Sequence, residues 1–238
     1  MKTVFAIDPA NNSESIARQV VRLLRHAIVT NRIQPGEMLS EQEVATRFGI
    51  SRSPIREAFI KLGEVGLVRI LPQRGTLVVK ISRAAVEDAR FIREAIESAV
   101  VREAAIRGDA RILALLTDNL TRQRRAARAK DGEASFDLDE EFHRLMAIAA
   151  GRPAAWRTVE DLKPQMDRVR FLSMADATPM DVIVAQHAAI MEAVKAGDPD
   201  RAESAMRDHL TEILRTLPDI AASHPELFEP ALPDAMSA

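Results

Sequence analysis

Four side chains in the C-terminal two thirds of the chain have the types and spacing of a metal site. Asp139 and His143 stand four residues apart, so on a helix they project from one face and can chelate one ion. His187 and His209 lie among apolar residues of later helical segments, an arrangement that turns them towards a core. Imidazole nitrogens with one carboxylate suit Zn²⁺, Ni²⁺ or Mn²⁺. The alternative is that each histidine is a separate surface or core residue.

The charge of such a site indicates what else it would bind. Three neutral imidazoles, one carboxylate and one divalent ion leave a net positive charge, which would attract a carboxylate ligand to an open coordination position. A helical-bundle metalloenzyme that activates water is a second use of the same donors. The sequence offers no motif for a separate general base and lacks the paired Glu-x-x-His units of di-metal bundles, which disfavours the enzyme.

A second polar cluster opens a short helical segment near the N-terminus. Its members are Ser51, Arg52, Ser53 and Arg56. Arg52 and Arg56 are four residues apart and share a helix face. Arg matches the two acceptors of guanine in the major groove, while Ser suits a phosphate or a base edge. The alternative is an ordinary helical hairpin with exposed arginines.

The elements around this cluster predict a winged helix–turn–helix. Apolar periodicity predicts helices over residues 15–32, 41–48 and 52–65, and Gly49 permits a left-handed turn between the second and third. Short β-rich runs at 67–71 and 76–81 flank Pro72-Gln73-Arg74-Gly75 and predict a hairpin. Arg74 at its tip is the residue type that enters a narrow minor groove.

Beyond Ser82 the pattern is helical throughout. Breaks at Gly and Pro predict six helices, over residues 83–107, 110–130, 132–150, 153–175, 179–196 and 199–217. Short connections between long amphipathic helices predict an antiparallel bundle. The predicted fold is mostly α, with three domains or segments: a winged helix–turn–helix at 1–81, an all-α bundle at 82–222, and a loose tail at 223–238.

Composition supports this division. The formal net charge of the 238 residues is −2, from 33 Lys and Arg against 35 Asp and Glu. Residues 1–81 carry 12 basic and 7 acidic residues, and the remainder carries 21 and 28, so a basic head precedes an acidic bundle. The absence of Cys excludes thiolate metal sites and Cys nucleophiles. No apolar run approaches the roughly 18–20 residues of a membrane span, so we expect a soluble, cytoplasmic protein without a membrane partner.

The N-terminal region resembles the DNA-binding domain of the GntR family of bacterial transcription regulators. The matching stretches are Leu39-Ser40-Glu41-Gln42-Glu43-Val44-Ala45, Gly49-Ile50-Ser51-Arg52-Ser53-Pro54-Ile55-Arg56-Glu57-Ala58, Leu67-Val68 and Arg74-Gly75-Thr76. The resemblance implies that Gln42, Ser51, Arg52, Ser53, Arg56 and Gly75 lie at the DNA. Many relatives carry Arg at the position of Gln42, which would change the contact made there.

The remainder resembles the FCD ligand-binding domain of the FadR-type subfamily. The matching stretches are Phe91-Ile92-Arg93-Glu94-Ala95-Ile96-Glu97, Asp139-Glu140-Glu141-Phe142-His143-Arg144-Leu145, Gln186-His187-Ala188-Ala189-Ile190 and Met206-Arg207-Asp208-His209-Leu210. The resemblance implies a metal bound by Asp139, His143, His187 and His209, and effectors that are small carboxylates. It is closer to the metal-containing branch than to the acyl-CoA-binding branch, which lacks the site.

Two arginines are candidates for holding the effector. Arg93 matches a basic position that faces the cavity in several such regulators, and its alternative partner is Glu97, four residues on. Arg168 lies with Arg170 and Trp156 on the predicted fourth helix of the bundle. These side chains could line the pocket or lie at the surface, and the sequence leaves both alternatives open.

The sequence therefore predicts a homodimeric regulator, most simply a repressor. Two winged heads would read a palindromic operator, and a small organic acid bound at a divalent metal would set its affinity for that DNA. A regulator that senses the metal itself is the main alternative, and the helical metalloenzyme is the weaker one.

Overall fold

A computed structural model describes residues 14–176 and 179–230. The chain is mostly α-helical, as predicted, and divides into two units between Ser82 and Arg83. Residues 225–230 belong to the first unit, with residues 14–82. No helix within these described ranges is long and apolar enough to cross a membrane.

The first unit is a three-helix head with a small sheet. Its helices are α1 (Ile16–Val29), α2 (Glu41–Phe48) and α3 (Arg52–Glu64), and its strands are β1 (Met38–Leu39), β2 (Val68–Leu71) and β3 (Gly75–Val78). Ser15 and Ser40 cap α1 and α2 through their hydroxyls. Gly49 ends α2 with φ +68°, the left-handed turn that the sequence predicts between α2 and α3. Ile55, Phe59 and Leu62 of α3 are fully buried against α1 and the sheet, which leaves the opposite face of α3 outward.

The sheet has one more strand than the predicted hairpin. Strand β1 pairs antiparallel with β3, which lies in the middle, and β2 pairs on its other side. Gly75 lies close to β1, because a Cβ there would be 3.1 Å from the Leu39 carbonyl oxygen. A two-residue strand such as β1 is too short to show a period-2 pattern in the sequence.

The second unit is a bundle of seven helices among the described residues. They are α4 (Arg83–Arg107), α5 (Ala110–Ala129), α6 (Gly132–Ala149), α7 (Pro153–Leu162), α8 (Pro164–Asp176), α9 (Met180–Lys195) and α10 (Pro199–Ser223). Its apolar core joins Val101 of α4, Phe142 and Met146 of α6, Ile190 of α9 and Met206 of α10.

The largest differences from the predicted helices lie at residues 153–175 and at the end of the last helix, while α1 ends at Val29 rather than at residue 32. The single helix predicted over 153–175 is two helices, because Pro164 begins a new helix after Lys163. The last helix continues to Ser223 rather than ending at 217, and it contains Pro218 in its interior.

The predicted loose tail is structured over its described part, residues 223–230. Residues Pro225–Leu227 form one 3₁₀ turn, and both Leu227 and Phe228 are buried. The Ile81 N–H donates to the Leu227 carbonyl at 2.8 Å, and the Glu229 N–H donates to the Ile81 carbonyl at 2.9 Å. The segment therefore adds a short parallel bridge to the first unit, a non-local pairing that its Pro-rich composition did not indicate.

The contribution of this segment is testable with Phe228→Ala. Removing the buried ring should destabilise the first unit by roughly 3 kcal/mol. Deuterium exchange of peptides spanning β2, β3 and Ile81 should rise accordingly. Glu229→Ala is the control, since its side chain is exposed and its backbone bond survives. Equal exchange in the two variants would show that the ring does not hold this edge.

Candidate metal centre and nucleic-acid interface

The four predicted metal ligands lie together inside the bundle. Asp139 and His143 come from consecutive turns of α6, His187 from α9 and His209 from α10, and all four are buried. One donor atom from each can be chosen so that all lie within 4.8 Å of one another. The Nε2 atom of His209 is 3.2 Å from that of His143 and 3.3 Å from that of His187. Asp139 has one oxygen 3.6 Å from the Nε2 of His187 and the other 3.8 Å from that of His143.

Each imidazole has a hydrogen-bond acceptor at its other nitrogen. The Nδ1 of His143 lies 2.5 Å from Glu97 Oε2, that of His187 lies 2.8 Å from Gln123 Oε1, and that of His209 lies 2.9 Å from Gln186 Oε1. These outer partners come from α4, α5 and α9.

The orientation of the two glutamine amides is set by their own partners. The Gln123 amide nitrogen donates to Asn119 Oδ1 at 2.7 Å, and the Gln186 amide nitrogen donates to Glu212 Oε2 at 3.2 Å. Each amide therefore presents its oxygen to a histidine, which must donate from Nδ1. A neutral imidazole carries one N–H, so in the neutral rings of His187 and His209 the Nε2 atoms are unprotonated and turn their lone pairs into the cluster.

Burial and charge give these groups the protonation states that a metal requires. Burial lowers the pKa of His187 to about 3 and that of His209 well below its usual value. Burial alone would raise the pKa of Asp139, but the charges of Arg170 and the neighbouring histidines outweigh it and lower that pKa. His187 and His209 are therefore neutral and Asp139 is ionised at neutral pH.

The donor set fits a divalent cation. Two acceptor nitrogens that face each other at 3.3 Å in a buried cluster repel unless a donor or a cation lies between them. Zn²⁺, Ni²⁺ and Mn²⁺ all accept a donor set of three imidazole nitrogens and one carboxylate oxygen. Outer hydrogen bonds on each histidine are the usual support of such ligands.

Asp139 also binds Arg170, for which the sequence leaves a pocket position and a surface position open. Arg170 donates from Nη2 to Asp139 Oδ2, and from Nη1 to Glu140 and Asp167 at 2.8 and 2.9 Å. The buried ammonium of Lys163 contacts the same Glu140 and Asp167. Arg170 therefore binds Oδ2 of Asp139, whereas Oδ1 lies 3.6 Å from the Nε2 of His187.

A small cavity adjoins the cluster. Its volume is about 40 Å³, and its wall includes Arg93, Asp139, Arg170 and His209. Arg93 is buried and donates from Nε to Glu97, the partner that the sequence offers as the alternative to an effector. Its Nη2 is also buried, and it has no hydrogen-bond partner among the described residues.

The structure does not bring Arg168 to this cavity. The wall uses Met166, Arg170, Ser173 and Met174 of α8, whereas residue 168 lies on the opposite side of that helix at 100° per residue. Arg168 is buried there, and burial lowers its pKa to about 10. Arg170 occupies the position that the sequence assigned to Arg168, while Trp156 stacks on His143 with ring centroids 6.3 Å apart.

The predicted DNA-contacting residues lie on the surface of the head. Exposed side chains are those of Gln42, Ser51, Arg52, Ser53, Arg56 and Arg74, while Gly75 is half-buried in β3. Ser51 is the N-cap of α3 but makes no capping bond with its hydroxyl. Arg52 and Arg56 both bind Glu41, a neighbour that the sequence analysis did not identify. Hydrogen bonds from Arg56 and Arg52 lower the pKa of Glu41 to about 2.

Comparison with known proteins covers both units. The family of bacterial regulatory proteins called gntR matches residues 16–78, and the FCD domain matches residues 88–212. The chain is 43% identical over 218 residues to the "HTH-type transcriptional repressor RspR" of Escherichia coli K12, covering 92% of this chain and 96% of that protein. It is 38% identical over 217 residues to an "Uncharacterized HTH-type transcriptional regulator" of Streptomyces ambofaciens, with 91% of each covered. Among solved structures, E. coli McbR/YncC superposes with a TM-score of 0.77 at 20% identity, over 87% of this chain and 98% of that one, which supports the fold.

The lowered histidine pKa values predict how stability depends on pH. Folded His187 stays neutral between pH 6.5 and about 3, whereas the unfolded imidazole takes up a proton in that range. Acidification of chelator-treated protein from pH 6.5 to 4.5 should therefore lower the free energy of unfolding, by on the order of 2 kcal/mol for His187 alone. Carboxylates such as Glu97, whose pKa is lowered to about 2, reduce the free energy of unfolding further only below about pH 4.5. Urea titrations followed by circular dichroism measure the free energy of unfolding at each pH. In His187→Gln this free energy should fall less between pH 6.5 and 4.5. Identical slopes in the two proteins would contradict the assignment.

Proposed function

Because the chain belongs to the GntR family of bacterial regulatory proteins and carries an FCD domain, we propose that it regulates transcription in response to a small carboxylic acid bound at a metal site. The family and the named relatives identify a helix–turn–helix regulator and not an enzyme. We propose further that the regulator is a homodimer, that it contacts operator DNA through its head and that it responds to a small acid. Its proposed location is the bacterial cytoplasm, where the DNA lies.

The head would read operator DNA through α3 and the hairpin. Arg52 and Arg56 would contact base edges in the major groove, with Gln42, Ser51 and Ser53 at phosphates or bases. Arg74 and Gly75 would place the hairpin tip in the minor groove. Two heads of a homodimer would bind the two halves of a palindrome. The exposure of these residues on one small unit with a basic sequence supports this assignment.

The bundle would hold a Zn²⁺, Ni²⁺ or Mn²⁺ ion through Asp139, His143, His187 and His209. When bound, the ion would offer a Lewis-acid site for one oxygen of a carboxylate. Arg93 would bind a second oxygen, since a guanidinium donates two parallel hydrogen bonds to a carboxylate. The observation that carries this proposal is that Arg93, a residue of the cavity wall beside the proposed ligands, has a buried Nη2 with no hydrogen-bond partner among the described residues.

The cavity also limits the size of the acid. At about 40 Å³ it has room for about three water molecules, which favours a short acid. Arg170 adds a second positive charge to the wall in the place predicted for Arg168. It is shared with Asp139, Glu140 and Asp167, so Arg93 is the better anchor.

Binding of the acid can change operator affinity only if the acid binds differently to the arrangements with high and low DNA affinity. We infer repression that the acid relieves, and the repressor name of the E. coli relative supports that sign. In the alternative, the metal ion is itself the signal and the acid has no role. The ordered outer partners of all three histidines favour an ion held constantly as a part of the site.

The DNA contacts are tested with Arg52→Ala in the full-length protein. Losing a bidentate base contact should weaken binding to a selected operator duplex about tenfold or more while leaving the thermal stability nearly unchanged. Fluorescence anisotropy with labelled duplexes measures the affinity. Arg18→Ala removes the same charge from the exposed surface of α1 and should have a much smaller effect. Equal losses in the two variants would argue against α3 as the reading helix.

The sensor is tested by thermal-shift measurements with a set of small carboxylic acids. The metal-loaded protein should gain stability with a specific acid, because binding to the folded state stabilises it by mass action. The chelated protein should not respond to the acid. His187→Ala should lower the metal content, whereas Arg93→Lys should retain metal and lose the acid response because it lacks the planar fork.

A matched control for Arg93 lies on the same helix. Arg90 pairs with Glu94 four residues on, as Arg93 pairs with Glu97, but it is not part of the cavity wall. Arg90→Lys should keep the acid response. Metal-only stabilisation with no effect of any acid would favour the metal sensor, and full metal occupancy in His187→Ala would exclude His187 as a ligand.

A further inference from the structure

The two arginines assigned to base readout share one carboxylate. Glu41, the first residue of α2, accepts from Arg56 Nε at 3.0 Å and from Arg56 Nη2 at 3.1 Å. Its Oε2 also accepts from Arg52 Nη2 at 2.8 Å. The three side chains lie at the surface, with 25% of the Glu41 side chain exposed against 56% and 62% for Arg52 and Arg56.

This geometry divides the donors of Arg56 between protein and solvent. A guanidinium has a side edge, formed by Nε and Nη2, and an end edge, formed by Nη1 and the second hydrogen of Nη2. Glu41 occupies the side edge, so it leaves the two donors of the end edge unused. An end edge held in this way can still donate two parallel hydrogen bonds to the O6 and N7 acceptors of guanine.

We propose that Glu41 is a positioning residue for sequence readout, which fixes the guanidinium plane of Arg56 with two hydrogen bonds and restrains Arg52 with one before DNA arrives. The proposal rests on the proposed role of these arginines at the operator. A free Arg side chain loses rotamer freedom when it binds a base, and prior fixation removes much of that loss for the base that fits.

The same carboxylate has an opposite effect on binding that does not depend on sequence. It places a negative charge beside two arginines that would otherwise attract phosphates, and non-specific affinity follows the positive charge available. Its pKa of about 2, lowered by the bonds from Arg56 and Arg52, keeps it ionised at any physiological pH. Glu41 should therefore weaken non-specific binding and strengthen the discrimination between sequences.

The helix itself supplies a matched control. Glu43 lies two residues further in the same first turn of α2, and its side chain contacts neither arginine. Both carboxylates interact with the helix N-terminus, so Glu43→Gln reproduces the loss of charge and of helix stabilisation without touching the arginines.

The experiment compares the full-length wild type with Glu41→Gln, Glu41→Asp and Glu43→Gln. The wild type first selects a consensus duplex from a random-sequence DNA library. Each protein is then titrated with that duplex and with a scrambled duplex of equal length, at several salt concentrations. The readout is the ratio of the two affinities, which a general change in stability or charge does not move.

We expect Glu41→Gln to bind the scrambled duplex more tightly and to lose about tenfold of its affinity ratio, in line with the discrimination of one bidentate contact. Glu41→Asp, which keeps the charge, should recover part of the ratio. Glu43→Gln should keep it. An unchanged ratio in Glu41→Gln, or equal ratios in Glu41→Gln and Glu43→Gln, would overturn the proposal, as would a rise in the ratio. Failure of the wild type to select any consensus would instead overturn the proposed reading of DNA by this head.

Discussion

The bundle depends on one electrostatic constraint, which is that the buried imidazoles of His187 and His209 direct acceptor nitrogens at each other. Such an arrangement is unfavourable unless a donor or a cation lies between the two nitrogens, and it persists only if the rings cannot turn away. Glu97, Gln123 and Gln186 prevent that rotation, and Asn119 and Glu212 hold the two amides in turn. Five of the seven described helices thus contribute to one small volume. The proposed ligands come from α6, α9 and α10, and α4 and α5 supply side chains that hydrogen-bond to two of the histidines.

The two units use paired charges in complementary ways. In the head, one carboxylate binds two arginines that are mostly exposed. These ion pairs therefore contribute little to stability, and their main effect is on the orientation of the arginine side chains. In the bundle, the buried Arg170 and Lys163 pair with the buried Asp139 and Asp167 and with the half-buried Glu140. Each buried charge there must be matched, because leaving one unpaired is costly. This network therefore resists rearrangement, which holds the carboxylate of Asp139, a proposed metal ligand, in place.

The sequence predicted those features that local spacing determines. The i, i+4 pair of Asp139 and His143, the caps and breaks of the helices, and the mostly α fold follow from the pattern along the chain, and the fold is confirmed. The sequence did not indicate that Arg170, and not Arg168, would line the cavity. Residues 163–170 are buried throughout, so this part of α8 lacks the polar stripe that would reveal which side faces the cavity. Gln123, 64 residues from its partner His187, gives no sequence signal at all, whereas Gln186 stands beside His187 and could have been considered.

The stacking of Trp156 on His143 has a consequence for how the molecule can be observed. Trp156 is the single tryptophan of the chain, and the sequence contains no tyrosine. Its indole lies parallel to the His143 ring, with the Lys163 ammonium 5.2 Å from its centre. Indole emission excited at long wavelength therefore originates entirely in the bundle, at a ring in contact with one proposed ligand. The protein carries an intrinsic optical reporter of the proposed metal site, and the N-terminal head contributes no background to that signal.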